Sequence, residues 1–532
     1  MNEIRADVAV IGGGLGGVAA ALAAARHGMS VVLTEETDWI GGQLTSQGVP
    51  ADEHPWIEQF GCTASYRALR DGIRDYYRRA YPLTTTARSA RFLNPGGGAV
   101  SRICAEPRVG LAVLEAMLAP HRAAGRLDVR LRHRPVAATT DGDTVTSVTV
   151  QSQDTDQRLT ITARYVLDAT ETGELLPLTG TEYVTGFESH EDTGEPSAPA
   201  ERQPLNMQAV SWCFAVDHLE GEDHIIDKPD DYAVWRDFQP PYWPGKMFGL
   251  VAPKPHSLEP VQRTFEPHHD AEFNRRHGGG DIDLWQFRRI IARDNFSPGA
   301  FRSDIVVVNW PMIDYLSGPV FEVDDDEAAF HHEGARRMSL SFLYWMQTEM
   351  PRMDGGTGLP GLRLRGDVFG TSHGLALYPY IRESRRIVAE YTIVEQDVAR
   401  ATRPDSTARS YDESVGVGSY RIDLHPSTGG DNYIDVGSLP FQIPLGALLP
   451  VRTRNLLPAA KNIGTTHITN GCYRLHPVEW NIGEAAGVLA AHCVAQKATP
   501  HQVRHDDAQL RAFQKTLTHD GVELSWPDVH GY

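Results

Sequence analysis

The residues best suited to chemistry in this sequence are the glycines of its N-terminal turn. Gly12, Gly14 and Gly17 form a G-x-G-x-x-G pattern that follows an apolar run and precedes an alanine-rich one. The first glycine permits a tight bend, the second lets the backbone approach a pyrophosphate, and the third lets a helix pack closely on a strand. Phosphate oxygens then lie on the free N–H groups of the helix that begins near Leu15. The pattern therefore predicts a dinucleotide site.

Two further features extend this predicted site. Glu35 ends the second predicted strand, where a carboxylate can accept hydrogen bonds from both hydroxyls of an adenosine ribose, and Glu36 follows it. Gly41-Gly42 comes soon after, and glycines there let the chain pass beside a ligand that continues beyond the pyrophosphate. The alternative is a glycine-rich turn with no ligand, which the strand, helix and acidic residue around the turn disfavour.

Histidines and arginines supply the candidates for acid–base chemistry and substrate binding. The candidate bases or substrate anchors are His54, His373, His467 and His476, and the candidate anion clamps are Arg102, Arg385 and Arg474. A loop or packing role is the alternative for each histidine. For the arginines near residue 385, the alternative is a solvated or salt-bridged helix face.

Thiol and metal chemistry have less support in the sequence. The five cysteines are widely spaced and form no C-x-x-C pair, so neither a disulfide framework nor a thiolate zinc site is expected. Cys104 has no second cysteine nearby, so it is expected to be buried and inert. The histidine pairs of segments 331–333 and 268–270 raise the question of a metal ion. Adjacent residues on a helix point about 100° apart, so we expect no metal site there.

Hydrophobic periodicity predicts the elements that position these residues. Segments 7–11 and 30–34 are apolar strands, and the alanine-rich helix 15–26 connects them. Short alternating runs predict a small antiparallel meander that returns to a buried strand. These runs lie at 145–150, 159–163 and 165–169. The other predicted elements are helices at 325–350, 381–400 and 479–495, a strand at 455–459, and long loops at 188–203 and 237–260.

Several ordered motifs carry a family resemblance. They are the turn at 10–17, Gly41-Gly42-Gln43, the segments 165–173 and 380–386, and the stretch 455–496 with its His467 to Arg474 segment. With these motifs the chain resembles FAD-dependent oxidoreductases of the two-dinucleotide-binding-domain type, such as glutathione reductase and the succinate dehydrogenase flavoprotein. The resemblance covers residues 7 to about 180 and 365 to about 496. It implies an α/β fold in which a Rossmann-like FAD-binding domain carries an inserted mixed α+β substrate or cap domain.

The resemblance also assigns residues to a noncovalent FAD. The expected contacts are Gly12, Gly14, Leu15, Gly16, Gly17, Glu35, Glu36, Gly41, Gly42, Gln43, Val136, Ala169, Thr170, Asn462 and Glu479. In such proteins the helix that begins near Glu479 points its N-terminus at the flavin pyrimidine edge, where reduced flavin becomes anionic. Many relatives have Asp or Glu in place of Asn462, so an amide makes the ribityl contact here. His467 and His476 rank first as bases because their segment runs beside the isoalloxazine.

These observations predict an FAD-dependent dehydrogenase or oxidase. A small organic substrate with a C–H next to oxygen or nitrogen loses a hydride to flavin N5, while a histidine takes the heteroatom proton. The alternatives are a monooxygenase that uses NAD(P)H and O2, a nucleotide-binding protein without turnover, and a plain NAD dehydrogenase. No second glycine motif supports a nicotinamide domain, since Gly278-Gly279-Gly280 follows charged residues and not a strand. An NAD dehydrogenase leaves the motifs at 165–173 and 455–496 unexplained.

Length and charge narrow the partners. The 532 residues allow two lobes, predicted as an FAD-binding domain of 1–180 and 441–498, a substrate or cap domain of 181–440, and a C-terminal tail of 499–532. The formal charge of −19 argues against nucleic acid or an anionic membrane as a partner. No signal peptide or membrane span is recognisable, so a cytoplasmic enzyme with a small-molecule substrate is expected. Assembly into a homo-oligomer stays open.

Overall fold

The computed structural model describes residues 2–267, 283–403 and 407–529. It begins with the predicted strand–helix–strand unit: strand β1 (Asn2–Ile11), helix α1 (Leu15–Arg26) and strand β2 (Val31–Glu35). The two strands are parallel, and Val10 pairs with Leu33. The helix is rich in alanine and the strands in β-branched residues, so local propensity and burial favour the same structure.

One large sheet contains this unit. Its other strands are β3 (Leu127–Leu131), β4 (His133–Asp141), β5 (Thr144–Ser152), β6 (Arg158–Asp168) and β7 (Leu456–Pro458). The strand order is β3-β2-β1-β6-β5-β4, and β7 also pairs with β6. Five of these strands pair in parallel with one another, namely β1, β2, β3, β6 and β7. On its other side β6 pairs antiparallel with β5, and β5 pairs antiparallel with β4, which gives the predicted meander. The fold is therefore mixed α/β with a Rossmann-like parallel core.

Strand β6 is continuous, although the sequence suggested two runs with a break near Arg164. Its first half pairs with β5, and its last residues pair with β7. Strand β1 pairs along β6 from Leu159 to Asp168 and so holds both halves in line. Asp168 at the end of β6 lies beside Ile11 at the end of β1, so the carboxyl ends of the parallel strands meet at the glycine turn.

Longer helices complete the larger elements of the fold. They include α2 (Ala64–Ala80), α3 (Pro107–Ala123), α4 (Asp325–Thr348), α5 (His467–Tyr473), α6 (His476–Gln496) and α7 (Asp507–His519). Helix α6 packs on α1 through glycines: a Cβ placed on Gly483 would lie 2.0 Å from the carbonyl oxygen of Gly16, and one on Gly487 would lie 2.3 Å from that of Ala20. The absence of these side chains lets the two helices approach backbone to backbone.

The remaining chain forms short elements. The further helices are Thr85–Ser89, Leu175–Thr179, His190–Thr193, Tyr232–Asp237, Leu284–Phe287, Glu395–Val398 and Pro500–His505. The further strands are Tyr183–Val184, Val210–Ser211, Phe214–His218, Val251–Pro253, Pro260–Gln262, Arg289–Ile291, Ile305–Val308, Asp314–Tyr315, Leu362–Leu364, Arg386–Ile387, Ser414–Gly418, Ile422–Leu424, Ile434–Val436 and Phe441–Pro444. Four of these strands form an antiparallel sheet. One apolar cluster contains only residues between 207 and 433. Another cluster contains residues from both predicted domains and from the predicted tail. The predicted domain boundaries therefore stay a prediction.

The predicted helix 381–400 is wrong. Only Glu395–Val398 is helical there, and Arg386–Ile387 forms a strand. Arg382 and Arg386 are both almost fully buried. Arg382 pairs with Asp314 at 3.1 Å, and Arg386 pairs with Glu383 and Glu188 at 2.6 and 2.8 Å. These buried ion pairs hold the segment extended and override its local helical pattern.

Four other predictions can be compared with the structure. Helix 325–350 is confirmed as α4, and helix 479–495 is confirmed as α6, which begins earlier, at His476. The predicted tail 499–532 contains two helices, and Phe513 and Leu517 of α7 are buried. All five cysteines are buried and unpaired, as expected for Cys104, and burial raises the pKa of the Cys104 thiol to about 12. Across the described part of the chain, no helix combines the length and apolarity that a membrane span requires.

Candidate functional site

The glycine turn brings three strand ends together. Gly12 has φ +101°, and a Cβ there would lie 2.2 Å from the carbonyl oxygen of Ala169. Ala169 in turn donates its N–H to Ile11 at 2.7 Å. Gly17 lies directly behind the turn, and a Cβ on it would lie 2.1 Å from the carbonyl oxygen of Gly12. Only glycine fits this close approach of helix and strands.

A cradle without side chains opens in front of α1. Gly14 precedes the helix, and a Cβ on it would lie 2.9 Å from the carboxylate of Glu171. Gly42 faces it, because a Cβ on Gly42 would lie 2.9 Å from the Cα of Gly14 and 2.6 Å from the same carboxylate. The Glu171 carboxylate therefore occupies the space between the two glycines.

A second carboxylate reaches the same helix end from α6. Glu479 accepts a hydrogen bond from the Gly16 N–H at 3.1 Å and another from the Gln43 side chain. Its side chain is fully buried, and burial raises its pKa. The N-terminal region of α1 thus binds one carboxylate at an amide and holds a second nearby.

Lys461 supplies a buried positive charge beside the cradle. Its ammonium group pairs with the Glu171 carboxylate, and the residue is only 3% exposed. Burial acts to lower the pKa of Lys461, but the negative charges of Glu171 and Glu479 outweigh it and raise that pKa. The lysine is therefore charged and within reach of any anion that replaces Glu171.

Glu35 closes the turn from the other side. Its carboxylate accepts hydrogen bonds from the Gly13 N–H at 2.9 Å and from both the N–H and the hydroxyl of Thr37 at 2.8 and 2.7 Å. Burial raises its pKa to about 7 despite these donors. Burial and the neighbouring charges of Glu174 and Glu35 also raise the pKa of Glu36 well above its usual range.

A cavity of about 380 Å³ lies beside this end of β2. Its lining includes Glu36, Trp39, Arg132, His373 and Tyr378. The Arg108 guanidinium lies over the Trp39 ring, 5.2 Å from its centre. The cavity therefore combines aromatic and polar side chains next to the predicted ribose contact.

Three other predicted cofactor residues lie on or beside the large sheet. Asn462 is fully buried and donates its amide to the carbonyl oxygen of Asp168 at 3.0 Å. Thr170 donates its hydroxyl to the Asp168 carboxylate at 2.7 Å. Both side chains thus support the end of β6. Val136 lies on the half-buried strand β4, at a shift in register between Pro135 and Ala137.

Two buried side chains after the cradle have unused polar atoms. Among the described residues, Gln43 Oε1 and Gln47 Nε2 have no hydrogen-bond partner. Both side chains are almost fully buried. Buried amide groups are normally paired, so these atoms are suited to the polar edge of a ligand.

The sequence as a whole matches one family. The family model described as FAD dependent oxidoreductase matches residues 7–517. The chain belongs to this family. The glycine cradle, Lys461 and the unpaired glutamine atoms fit the FAD cofactor of that family.

Several solved structures are similar to part of this chain. The flavin-dependent brominase Bmp2 is 13% identical, with 41% of this chain and 47% of that chain covered and a TM-score of 0.26. The flavin-dependent monooxygenase PieE is 17% identical, with coverages of 41% and 36% and a TM-score of 0.22, and L-proline dehydrogenase from P. horikoshii is 18% identical, with coverages of 36% and 25% and a TM-score of 0.18. The chain spans less than half the length of each. Among curated proteins, none matches the sequence.

His467 is the predicted base that has a carboxylate partner. Its Nδ1 lies 2.9 Å from Glu383 Oε1, and its ring packs 3.8 Å from that of Phe187. Burial acts to raise the pKa of Glu383, but the charges of His467 and Arg386 outweigh it and lower that pKa to about 2. Glu383 is therefore ionised beside the His467 imidazole.

His476 is held by the backbone. Its Nδ1 accepts the Asp52 N–H at 3.1 Å, and its Nε2 donates to the Val49 carbonyl at 3.2 Å. Burial lowers its pKa to about 3. Both ring nitrogens are occupied, which is the arrangement of a residue that positions segment 49–52.

His54 and His373 lie away from these pairs. His54 Nε2 lies 3.0 Å from the Gly61 carbonyl, its ring packs edge-on against Trp526, and burial lowers its pKa to about 4. His373 accepts the Leu375 N–H at 3.2 Å and lines the cavity beside the end of β2. Burial also lowers the pKa of His373.

The three predicted anion clamps differ sharply in burial. Arg102 is exposed. Arg385 is partly buried, pairs with Glu322 at 2.5 Å and donates to the Thr172 carbonyl at 2.9 Å, so it supports the loop after β6. Arg474 is 2% exposed and donates to the Tyr380 hydroxyl at 2.7 Å. Only Arg474 faces the buried interior of the site.

Sequence reasoning missed several of these residues. Lys461 and Glu171 lie inside motifs that were recognised, but no pattern links them to the glycine turn. Asp314 and His425 form a second buried pair, with His425 Nδ1 2.6 Å from Asp314 Oδ2. Arg288 shows no motif, and it lies 3.5 Å from Asp52.

The histidine pairs at 331–333 and 268–270 were considered as metal ligands. The described residues contain no group of three or more His, Cys, Asp or Glu side chains that would hold an ion. His331 is buried, and its Nδ1 lies 2.9 Å from the Tyr315 hydroxyl. The pair at 268–270 and the glycines at 278–280 lie outside the described residues.

Proposed function

We propose that this FAD-dependent oxidoreductase is a dehydrogenase or oxidase that oxidises a small organic substrate at a C–H next to oxygen or nitrogen. The observation that supports this most directly is the cradle of Gly14 and Gly42, where the Glu171 carboxylate and the Lys461 ammonium meet in front of α1. When bound, FAD supplies the acceptor that takes a hydride from the substrate carbon.

The chain's own residues bind and orient. In this proposal Glu171 leaves the cradle, Lys461 and the α1 amides hold the pyrophosphate, and Glu35 accepts the ribose hydroxyls. Gln43 Oε1 and Gln47 Nε2 then face the polar edge of the ring. The buried walls around them exclude water from the reacting carbon.

His467 takes the proton. As the C–H electron pair leaves with the hydride, the heteroatom O–H or N–H proton passes to imidazole Nε2, and the product contains C=O or C=N. The ionised Glu383 at Nδ1 holds the ring and stabilises the resulting imidazolium. His425 also has a carboxylate partner at Nδ1, which is Asp314. Comparing variants of His467 and His425 therefore tests which of the two histidines is the base.

An absorbance spectrum of the purified protein tests the cofactor, recorded before and after acid precipitation with the released molecule identified by mass. FAD in the supernatant supports a noncovalent site. Colour left in the pellet overturns the noncovalent assignment, and a colourless protein that takes up no added FAD overturns the site.

Anaerobic bleaching of the flavin band then tests the reaction, with alcohols, amines, hydroxy acids and amino acids as donors. Bleaching by one class supports the proposed oxidation. Bleaching by NAD(P)H, followed by oxygen-dependent hydroxylation, would instead establish the monooxygenase alternative. Retention of FAD without bleaching by any donor favours a binding protein without turnover.

A further inference from the structure

The interior of the candidate site contains two arginines whose hydrogen-bonding capacity is only partly used. Arg474 is 2% exposed and Arg288 is 9% exposed. A guanidinium group has five N–H donors and is always charged at ordinary pH. Among the described residues, the Nε of Arg288 and the Nε of Arg474 have no hydrogen-bond partner.

The partners that Arg288 does have are distant. Its NH1 lies 3.5 Å from the Pro50 carbonyl oxygen and 3.5 Å from Asp52 Oδ1. Both distances lie beyond the usual range for N–H···O bonds. Asp52 Oδ1 itself has no hydrogen-bond partner among the described residues. The guanidinium and carboxylate therefore face each other without closing the contact.

Arg474 is anchored at one end only. Its NH1 donates to the Tyr380 hydroxyl at 2.7 Å, and its NH2 donates to the Asp423 carbonyl oxygen at 2.9 Å. The Asp423 carboxylate lies 3.4 Å away. These contacts fix the plane of the guanidinium and leave its Nε edge available.

The two arginines belong to one cluster. The Asp52 N–H donates to His476, two residues after Arg474, while the Asp52 carboxylate faces Arg288. Both arginine charges act on Asp52 to lower its pKa, and burial outweighs them and raises it. Both charges also act on Tyr380 and on His476. The two guanidinium groups thus share one buried environment.

We infer that Arg288 and Arg474 form the substrate subsite for a carboxylate, so the substrate is a small monocarboxylic acid. A planar carboxylate accepts hydrogen bonds from guanidinium Nε and NH groups in parallel. We expect the substrate to carry one negative charge, because the carboxylates of Asp52 and Asp423 already offset part of the positive charge of Arg288 and Arg474. The inference rests on the proposed function and names the substrate class for the same site.

The test uses the FAD-loaded protein with acetate as the probe and acetamide as its neutral match. We expect acetate to perturb the flavin absorbance bands in a saturable way and to raise the melting temperature, while acetamide does neither. Arg474→Gln and Arg288→Gln should each weaken acetate binding at least about tenfold, since each removes a charged donor. Arg511→Gln is the matched control, because the Arg511 side chain is 70% exposed on α7.

Other outcomes overturn the inference. They are the absence of saturable binding, an equal response to acetamide, or unchanged acetate affinity in both glutamine variants. If the glutamine variants fail to fold, Arg474→Lys and Arg288→Lys keep the charge and should bind acetate more weakly than the wild type. Acetate affinity equal to the wild type in both lysine variants contradicts bidentate binding.

Failure of the proposed function gives a different result. If no donor bleaches the flavin but acetate still binds through the two arginines, the oxidation is wrong and the carboxylate subsite stands. If neutral alcohols or amines bleach the flavin equally fast in the wild type and both glutamine variants, the subsite is wrong and the oxidation stands. The melting temperature reports acetate binding even in protein that lacks flavin.

Discussion

Glu171 and Lys461, 290 residues apart in the chain, form a buried ion pair in front of the first helix of the FAD-binding fold. The carboxylate lies between Gly14 and Gly42, in the space where a pyrophosphate is expected. A buried pair of this kind costs desolvation energy unless both charges are well satisfied. We interpret it as an internal anion that cofactor binding displaces.

Replacing Lys461 should weaken FAD binding, whereas replacing Glu171 should strengthen it. Lys461→Met removes the positive charge, and we expect the Kd for FAD to rise about 10- to 100-fold. Glu171→Gln removes the competing charge, so we expect the Kd to fall about 3- to 10-fold. Titration of the apoprotein with FAD, followed by quenching of flavin fluorescence, measures both.

Lys515→Met provides the control for these affinities, because Lys515 is exposed on α7. Its Kd should equal that of the wild type. Weaker FAD binding by Glu171→Gln would show that the carboxylate holds the cofactor and does not compete with it.

Gly14→Val should abolish retention of FAD through purification. The new side chain begins 2.9 Å from the Glu171 carboxylate and fills the cradle that the pyrophosphate needs. The flavin-to-protein absorbance ratio of the purified variant measures the effect. Gly245→Val is the matched control, since nothing lies within 4 Å of a Cβ there. A Gly14→Val protein that purifies fully loaded would refute the pyrophosphate assignment.

His476 should make stability depend on pH. Its pKa of about 3 in the fold lies below the ordinary value of 6.5. As the pH falls below 6.5 the unfolded chain binds a proton that the folded protein excludes, so the free energy of unfolding decreases. The decrease is about 2 kcal/mol by pH 5 and roughly 4 kcal/mol by pH 3. Above pH 6.5 both forms are neutral and the stabilisation is fully present.

Urea unfolding at pH 8 and pH 5 measures this contribution in the wild type and in His476→Gln. The glutamine amide retains one donor and one acceptor but does not titrate, so the variant should lose about 2 kcal/mol less between the two pH values. Every other titrating group is common to both proteins. An equal loss in both would contradict the low pKa of His476.

His467→Asn should slow flavin reduction about 10²- to 10⁴-fold, the usual contribution of a positioned base. The measurement is the rate of anaerobic bleaching with the donor identified by screening. Glu383→Gln should slow it less, because the imidazole remains while its stabilising charge is lost. His425→Asn is the matched comparison, since His425 has the same type of partner in Asp314. A larger loss in His425→Asn than in His467→Asn would transfer the role of base to His425.

Local pattern was enough for the N-terminal unit and the cofactor class. The glycine spacing, the alanine-rich helix and the acidic residue at the end of β2 lie within the first 35 residues, and their structure depends mainly on neighbours in sequence. Helices α4 and α6 were also predictable, because their residues favour helix over many turns. The sequence by itself therefore determined the dinucleotide turn, the mixed α/β class and the expectation of FAD.

Tertiary structure alone decided which charged groups meet. Segment 381–400 has a helical pattern, yet buried ion pairs of Arg382 and Arg386 with distant carboxylates hold it extended. Lys461 reaches the glycine cradle only because β7 pairs with β6, and Arg288 reaches Asp52 from another part of the chain. The energy of a buried charge depends on its surroundings in space. Neither its burial nor its partner can be read from residues adjacent in sequence.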